Sequence, residues 1–600
     1  MMPAVSSVPG RYLQVGFPAS VNIDSLIRRG MLFLICLWLA VAVVLPLTAL
    51  LSQSLFDRAG DFVGLKNFLR YFQTPALAGS LVHSLYVSSV TTVFSVVLGF
   101  VFAYGLTRTD IPGKTVLQGL VMVPLFAPTL LNGLALVYLF GKKGLITTGF
   151  FGLIENSLGL NLAWDIDLYG PAGIIMSEII YTFPQAVLII SMALRLTDAR
   201  LYEASESLGA SKARTFFRVT LPGAKYGLIS AALVCFILSF TDFGGPKVVG
   251  GNYNVLATDV YKQVIGQQNF AMGATVSVVL LTPTVLAFIL DRLTQRRQAA
   301  LIAAKSVPLV PRPDSRRDRF FFLFCALIVG LIIVFYATAA YASLVKVWPY
   351  QLRLTLAHYD FSRVGGGGYA SFWNSLRMSL YSALAGTILT FLGAYLIEKT
   401  RGAAVIRQAS YFLSMLPLAL PGLVIGLSYI FFFNAPGWRL PWFDWMIPNP
   451  FQRFYASMSI LVLANVVHFY TVGFLTVTTA LKQLDQEFET VSESLAIPFY
   501  TTMFRVTIPV CLPAILETGL YFFVNSMATV SAVIFLYSAD LPLASVAIAN
   551  MDDAGDLAPA AAMGLLIVLA NLTIRFAAIP LIGSVRKRTQ GWIEAGKVKP

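Results

Sequence analysis

Ser205-Glu206-Ser207-Leu208, followed by Phe217-Arg218-Val219-Thr220-Leu221-Pro222, decides how this chain reads, because the chain contains it twice. Ser492-Glu493-Ser494-Leu495 and Phe504-Arg505-Val506-Thr507-Ile508-Pro509 restate it at an offset of 493 − 206 = 287, close to half of the 600 residues. Asp198 and Asp485 keep that offset, as do Ala193-Leu194 and Ala480-Leu481. Each copy is a polar segment between strongly apolar stretches. A duplicated chain whose best-preserved internal match is a polar loop is expected to use that loop to hold something.

The surroundings of the two copies set the class. The residues are 57% hydrophobic and only 12% charged, and the mean hydropathy is +0.74. Soluble domains carry roughly 25% charged residues. A transmembrane helix needs ~20 mostly apolar residues. Such runs lie near 31–54, 80–106, 116–140, 170–194, 224–243 and 270–291 in the first half. In the second they lie near 320–344, 374–397, 408–434, 456–480, 511–537 and 558–583. The expected fold is an all-α polytopic membrane protein with about twelve transmembrane helices.

The net charge of +14 does not point to nucleic acid. With the N-terminus inside, most basic residues fall on inner segments: Arg11, Arg28 and Arg29, Arg108 and Lys114, the loop from Arg195 to Lys225, the run from Arg292 to Arg319, Lys399 to Arg407, Lys482, Arg505, and the tail to Lys599. This positive-inside bias predicts two cytoplasmic termini. The first 30 residues are too long, and the first apolar run too extended, for a cleaved signal peptide, so that run is expected to remain a helix. Cys36, Cys235, Cys325 and Cys511 all fall in apolar segments and read as small core hydrophobes, with no metal or disulfide spacing.

Residues 292–319 are the one long polar, charged, proline-containing stretch between apolar runs. They read as a cytoplasmic linker between a first half, 1–291, and a second, 320–600. An even number of helices per half predicts parallel halves, related by an axis along the membrane normal. The duplication recurs in His83-Ser84-Leu85 against Asn374-Ser375-Leu376, and in Ala103-Tyr104 against Ala394-Tyr395. Pro124, Pro128 and Gly133 match Pro417, Pro421 and Gly426. Paired prolines free backbone carbonyls, so these helices should be kinked or broken and face protein or a cavity. Gly365 to Gly368 reads as a flexible spacer.

The loop at 195–223 can form a short helix around Glu203–Ser207 with Asp198 at its start. Ala204 and Gly209 are small enough for another surface to approach, and Gly209 permits a sharp exit. Pro222 should stop the segment before the fifth membrane helix. Leu201, Leu208, Phe216 and Phe217 offer apolar anchors for a partner's groove.

Glu203-Ala204-Ser205, three residues, Gly209, nine residues and Val219-Thr220-Leu221-Pro222 together resemble the E-A-A…G…I-x-L-P loop of binding-protein-dependent ABC importer permeases. In that family the loop forms a coupling helix seated in a cleft of the ATPase subunit. The resemblance carries that role to Glu203, Ala204, Ser205, Glu206, Gly209, Leu221 and Pro222. In the second copy it carries the role to Ser492, Glu493, Ile508 and Pro509. That copy departs from the pattern: Thr490 and Val491 replace Glu203 and Ala204, and Ala496 replaces Gly209. Glu489, one position early, is the candidate substitute for the missing acid.

The resemblance covers nearly the whole chain. The chain looks like the fused, double-length form found among ferric-iron and 2-aminoethylphosphonate permeases. Gly64-Leu65-Lys66-Asn67-Phe68, Thr241-Asp242-Phe243-Gly244-Gly245-Pro246, the stretch from Gly250 to Thr258 and Asn550-Met551-Asp552-Asp553-Ala554-Gly555 suit that group. The resemblance implies 2-aminoethylphosphonate as solute, with ferric iron next. It implies two copies of an ATPase subunit and a periplasmic or extracellular solute-binding protein as partners, in a bacterial inner membrane.

ATP chemistry is not expected on this chain. A phosphate-cradling loop needs G-x-x-x-x-G-K-[ST]. Gly113-Lys114-Thr115 has Arg108 where the first glycine should stand. ATP and Mg are therefore expected on the partner, with no cofactor and no catalytic residue here. Ionisable and amide groups inside membrane helices usually face a pathway or a partner. Glu178, Tyr181 and Asp242, with Asn465, His468 and Asn525, are the pathway candidates; Asn465 and His468 sit at offset 287 from Glu178 and Tyr181. The rival reading is a secondary transporter of the major-facilitator type, also twelve helices in two parallel halves. It has no use for matched loops between the fourth and fifth helices of each half.

Overall fold

The computed structural model describes residues 23–595 except 152–154, 156–158, 160–162, 302–306, 308, 401, 440–445, 485–486 and 496. Arg11, Pro308, Arg401, Asp485, Ala496, Lys597 and Lys599 therefore lie outside the described residues. Ten helices among the described residues are long and apolar enough to cross a membrane, and two further helix pairs join them if each bent pair is one span. The first half supplies Asp24–Gln53, Pro75–Arg108, the bent pair Lys114–Phe126 and Thr129–Phe140, Pro171–Arg195, Lys212–Thr241 and Phe270–Gln295. The second supplies Ser315–Ser343, Gly368–Lys399, the bent pair Ala404–Ala419 and Gly422–Phe433, Met458–Lys482, Phe499–Ala528 and Leu557–Thr589.

The paired prolines break their helices outright. The third span bends by 101° and the ninth by 113°. At the third, Ala127 and Pro128 leave the helical region and run extended. Both bent pairs nevertheless cross, because each is accompanied along its length by a continuous helix from the other half. The seventh span follows the third. Near its start Asp318 accepts from the backbone of Asp110. Midway Tyr336 Oη donates to Asn132 Oδ1 at 2.7 Å. Beyond its end Trp348 Nε1 donates to Lys143 O at 2.9 Å. The first span follows the ninth in the same way, from Arg29 against Gly402 to Tyr429 Oη donating to Ala42 O at 2.8 Å. The halves thus exchange their first helices.

The knob and the hole at each break have been exchanged as well. In the first half Thr129 fills the space left by Gly244; in the second Ser531 fills the space left by Gly422. The second, fourth and fifth spans pack closely through small residues. A Cβ on Gly99 would meet Ala186 at 2.8 Å, and one on Gly227 would collide with Ala193.

Three sequence expectations need correction. Pro222 does not stop a segment: the chain is helical from Lys212 to Thr241. One widened turn, Phe216–Thr220, lets the Leu221 N–H bond five residues back, to Phe216 O, just ahead of the proline. Met503–Thr507 does the same before Pro509. A turn opened in this way makes room for a ring that would otherwise clash with the preceding turn. The eleventh span ends at Ala528, not near 537, because Thr529 turns extended as Asp242 does at offset 287. The glycine run is no free spacer. Gly366 and Gly367 hold positive φ against Ala547 and Pro542, where a Cβ would come within 2.9 and 2.5 Å.

The duplicated His-Ser-Leu and Asn-Ser-Leu motifs acquire a reason. Ser84 Oγ accepts from Leu256 N, and Ser375 Oγ accepts from Ala544 N, each at 2.8 Å. Each serine caps a short helix of the segment that joins the last two spans of its half. His83 Nδ1 meets Asn254 O at 3.0 Å, and Asn374 Nδ2 donates to Pro542 O at 3.2 Å.

Candidate functional site

The first polar loop is built as an open shelf. Asp198 caps helix Ala199–Ser207, accepting from Arg200 N at 3.1 Å. The helix leaves through Gly209 at φ +68°, with nothing within 4 Å of the space a Cβ would take. Left-handed backbone of this kind is disfavoured for residues with a Cβ. Glu203, Ala204, Glu206 and Ser207 are exposed, while Ser205 turns inward, its Oγ 2.8 Å from Thr215 Oγ1. Leu208 is 85% exposed, Phe217 63% and Leu201 54%. Leu221 is half-buried and Pro222 exposed. Apolar side chains held in the open on a capped helix need a covering surface, either lipid or partner.

The shelf is fixed from behind. Arg108 lies 5.0 Å over the Tyr202 ring, and its guanidinium donates to Leu194 O at 2.5 Å. Tyr202 Oη donates to Thr220 Oγ1 at 3.1 Å. The second loop, with helix Glu487–Ser494, reproduces this anchor with different chemistry. Lys399, the mate of Arg108 at offset 291, pairs with Glu489, the mate of Tyr202 at offset 287, at 2.6 Å. Glu489 therefore takes the place of Tyr202, turned inward, and not that of exposed Glu203. Ser492 Oγ donates back to Phe488 O at 2.8 Å. Val491, Leu495 and Phe504 are 55%, 65% and 64% exposed, a second open apolar set. Ile508 and Pro509 are half-buried; the Glu493 side chain, like Ala496, is outside the described residues.

Each loop is also braced by the segment that leads into a first helix. Arg312 donates to Glu206 at 2.8 Å, Lys212 to Asp314 at 2.7 Å, and Ala199 N to Val307 O at 2.9 Å. The Lys212 ammonium, then the Arg317 N–H, holds the Asp314 carboxyl below its ordinary range. On the second loop Phe499 N donates to Asp24 Oδ1 at 3.0 Å, and Arg28 sits 5.8 Å over the Phe499 ring. Lys212 and Phe499 are mates at offset 287. The anchors, Arg108 with Tyr202 above all, escaped the sequence reading. The internal repeat was the available signal, since both anchor positions recur with matched partners.

The pathway candidates fall into two groups. Glu178 is 1% exposed and its carboxyl is hydrogen-bonded to Asp242. Asp242 Oδ2 accepts from Gly245 N at 2.9 Å, and the carboxyl also takes the Phe243 N–H and the Thr129 hydroxyl. Asp242 is thereby the cap that ties the corner of the third span to the end of the fifth. Glu178 Oε2 has no hydrogen-bond partner among the described residues. Tyr181 is within electrostatic reach of both acids and, across the two halves, of Tyr521. In the second half Asn465 is fully buried with both amide atoms unpartnered among the described residues, as is His468 Nδ1. Buried groups left open like these call for water or a passing ligand. Asn525 is different: its amide donates to Tyr521 O on its own helix at 2.8 Å. Arg575, in the last span, pairs with Glu517 at 2.9 Å.

Each half thus carries one such shelf, built on helix Ala199–Ser207 in the first and Glu487–Ser494 in the second. Residues 95–300, which contain the whole first shelf, match the family of binding-protein-dependent transport system inner membrane components. This chain is a double-length ABC permease. The permease is 27% identical over 563 residues to the ferric transport system permease protein FbpB of Actinobacillus pleuropneumoniae, covering 91% of this chain and 77% of that one. It is 23% identical over 516 residues to the Fe(3+)-transport system permease protein FbpB 2 of Haemophilus influenzae, covering 84% of this chain and 90% of that one. A Salmonella typhi permease named for 2-aminoethylphosphonate transport, PhnU, is 26% identical over 273 residues, covering 45% of this chain and 92% of its own. The permease is a multi-pass membrane protein and an importer component, and the major-facilitator alternative is not favoured.

Proposed function

We propose that this permease forms the entire translocation pathway of an ATP-driven importer, with one ATPase copy on each shelf and a solute-binding protein on the opposite face. The carrying observation is the first shelf: a capped helix inside the family match, with Leu208 held 85% exposed beside a left-handed Gly209. ATP and Mg act on the ATPase subunits. Their closure moves both shelves, the halves rock, and solute passes between them by alternating access. Such coupling requires differential contacts in two states, and the braces from 24–28 and 307–314 give each shelf a rigid connection to a membrane helix. The fourth and fifth spans carry that motion to Glu178, Tyr181 and Asp242.

Ferric iron moves ahead of 2-aminoethylphosphonate as the solute. The relatives matched across both halves carry iron names, whereas the phosphonate relative matches about one half. Proteoliposomes holding permease, ATPase and cognate binding protein should take up radiolabelled iron with ATP, and not labelled 2-aminoethylphosphonate. The opposite preference would reverse the assignment, and uptake indifferent to ATP would return the secondary-transporter reading.

Both termini and the linker are proposed to be cytoplasmic. In intact cells a cysteine at Arg316 should resist an impermeant thiol reagent, and one at Leu354, 72% exposed beyond the seventh span, should react. The reverse labelling would invert the topology.

A further inference from the structure

Breaking a membrane helix leaves carbonyls to be satisfied at mid-depth, where water is scarce. The two breaks solve this by reaching across the halves. Asn571, in the last span of the second half, donates through Nδ2 to Phe126 O at the corner of the third span, 2.9 Å away. The same amide is 3.4 Å from Val524 O. Thr284, in the last span of the first half, donates through Oγ1 towards Ala419 O at the corner of the ninth span, 3.2 Å away, sharing its proton with Leu281 O at 2.7 Å. Thr284 and Asn571 differ by 287, and Phe126 and Ala419 by 293, the offsets of the repeat itself. The two bonds are therefore one device in two copies. Asn571 and Thr284 are fully buried.

We infer that Asn571 and Thr284 are a pair of positioning residues that latch each broken corner to the other half and set the balance between the two states of the permease. This rests on the alternating-access reading. When the halves rock, each last span must move against the corner it caps, so both bonds are made in the conformation seen and strained or lost in the other. The copies are unequal. Asn571 offers an amide proton of its own to Phe126 O, whereas the Thr284 hydroxyl divides one proton between two carbonyls. The Asn571 latch should dominate.

The test uses the purified permease in lipid nanodiscs without ATPase, spin-labelled at Leu208 and Leu495, the most exposed large apolar side chain of each shelf. The distance distribution between the labels reports the arrangement of the halves. Asn571→Leu, with the same side-chain heavy-atom count and branching and without donors, should shift the ratio of the distance populations by about fivefold, the equilibrium weight of one hydrogen bond. Thr284→Val should shift it less, Thr284→Ser should match the unmodified protein, and Thr284→Asn, which adds a second full amide, should shift it in the direction opposite to Asn571→Leu. Distributions for Asn571→Leu and for the Thr284→Val/Asn571→Leu double variant that superimpose on the unmodified one would overturn the latch. Should Asn571→Leu fail to fold, the three Thr284 variants decide alone, with no difference among them counting against it. Failure of the import reading shows up separately, as ATP-independent uptake by the unmodified protein.

Discussion

Gly209→Val should abolish stable ATPase co-purification and coupled uptake while leaving the permease in the membrane at normal abundance. Gly209 holds φ +68°, and the space around it is empty. The damage therefore comes from backbone strain and from a branched side chain standing where a partner must approach, not from a clash within the chain. Strain of this kind costs about 1–3 kcal/mol. The lost interface contacts of the neighbouring Leu208 add to it. Ala496→Val should do less, because that position already carries a Cβ. Uptake and co-purification at matched expression decide the matter. Equal and negligible effects would remove both shelves from the coupling mechanism, and a larger effect at Ala496 would make the second shelf the dominant one.

Glu178→Leu should lower uptake severely with ATPase association intact. Two contributions are expected, and Glu178→Gln separates them. Leucine takes a donor from Asp242, which stays buried among its other partners; a buried acceptor deprived in this way costs about 1–3 kcal/mol. Glutamine keeps an N–H for Asp242 and should leave thermal stability near that of the unmodified protein. Should the open oxygen of Glu178 serve the passing solute, glutamine will still reduce uptake. Normal uptake by a stable Glu178→Gln protein would reduce Glu178 to a strut between the fourth and fifth spans.

The broken helices show how far reading alone carried. Pro124 and Pro128, with their mates Pro417 and Pro421, announced an interrupted helix in each half, because two rings without an N–H four residues apart leave two carbonyls of one stretch without their helical partners. Nothing in the local sequence announced that Asn571 and Thr284 would cap the breaks from the opposite half. Those partners lie 445 and 135 residues away, and only packing brings them together. The shelf divides similarly. The spacing from Glu203 to Pro222 pointed to a partner-binding loop, and Asp198 was legible as its cap. Arg108 read as one more inner charge; in the fold it is buried and holds Tyr202 in place.

By itself the sequence determined a duplicated, all-helical membrane protein, its polar loops and its breaks; the permease reading came from the resemblance carried by Glu203 to Pro222. The helices, the loops and the breaks each follow from local composition and periodicity or from the repeat spacing, properties that the linear sequence contains without any folding. The tertiary structure alone decided that the halves exchange their first helices, that Glu489 stands in for Tyr202, that Gly366 and Gly367 are packed, and that Pro222 lies within a helix. Each of these depends on which distant surface fills the space beside a residue. Lys399 draws Glu489 inward, Ala547 and Pro542 leave no room for a Cβ at Gly366 and Gly367, and one widened turn admits the ring of Pro222.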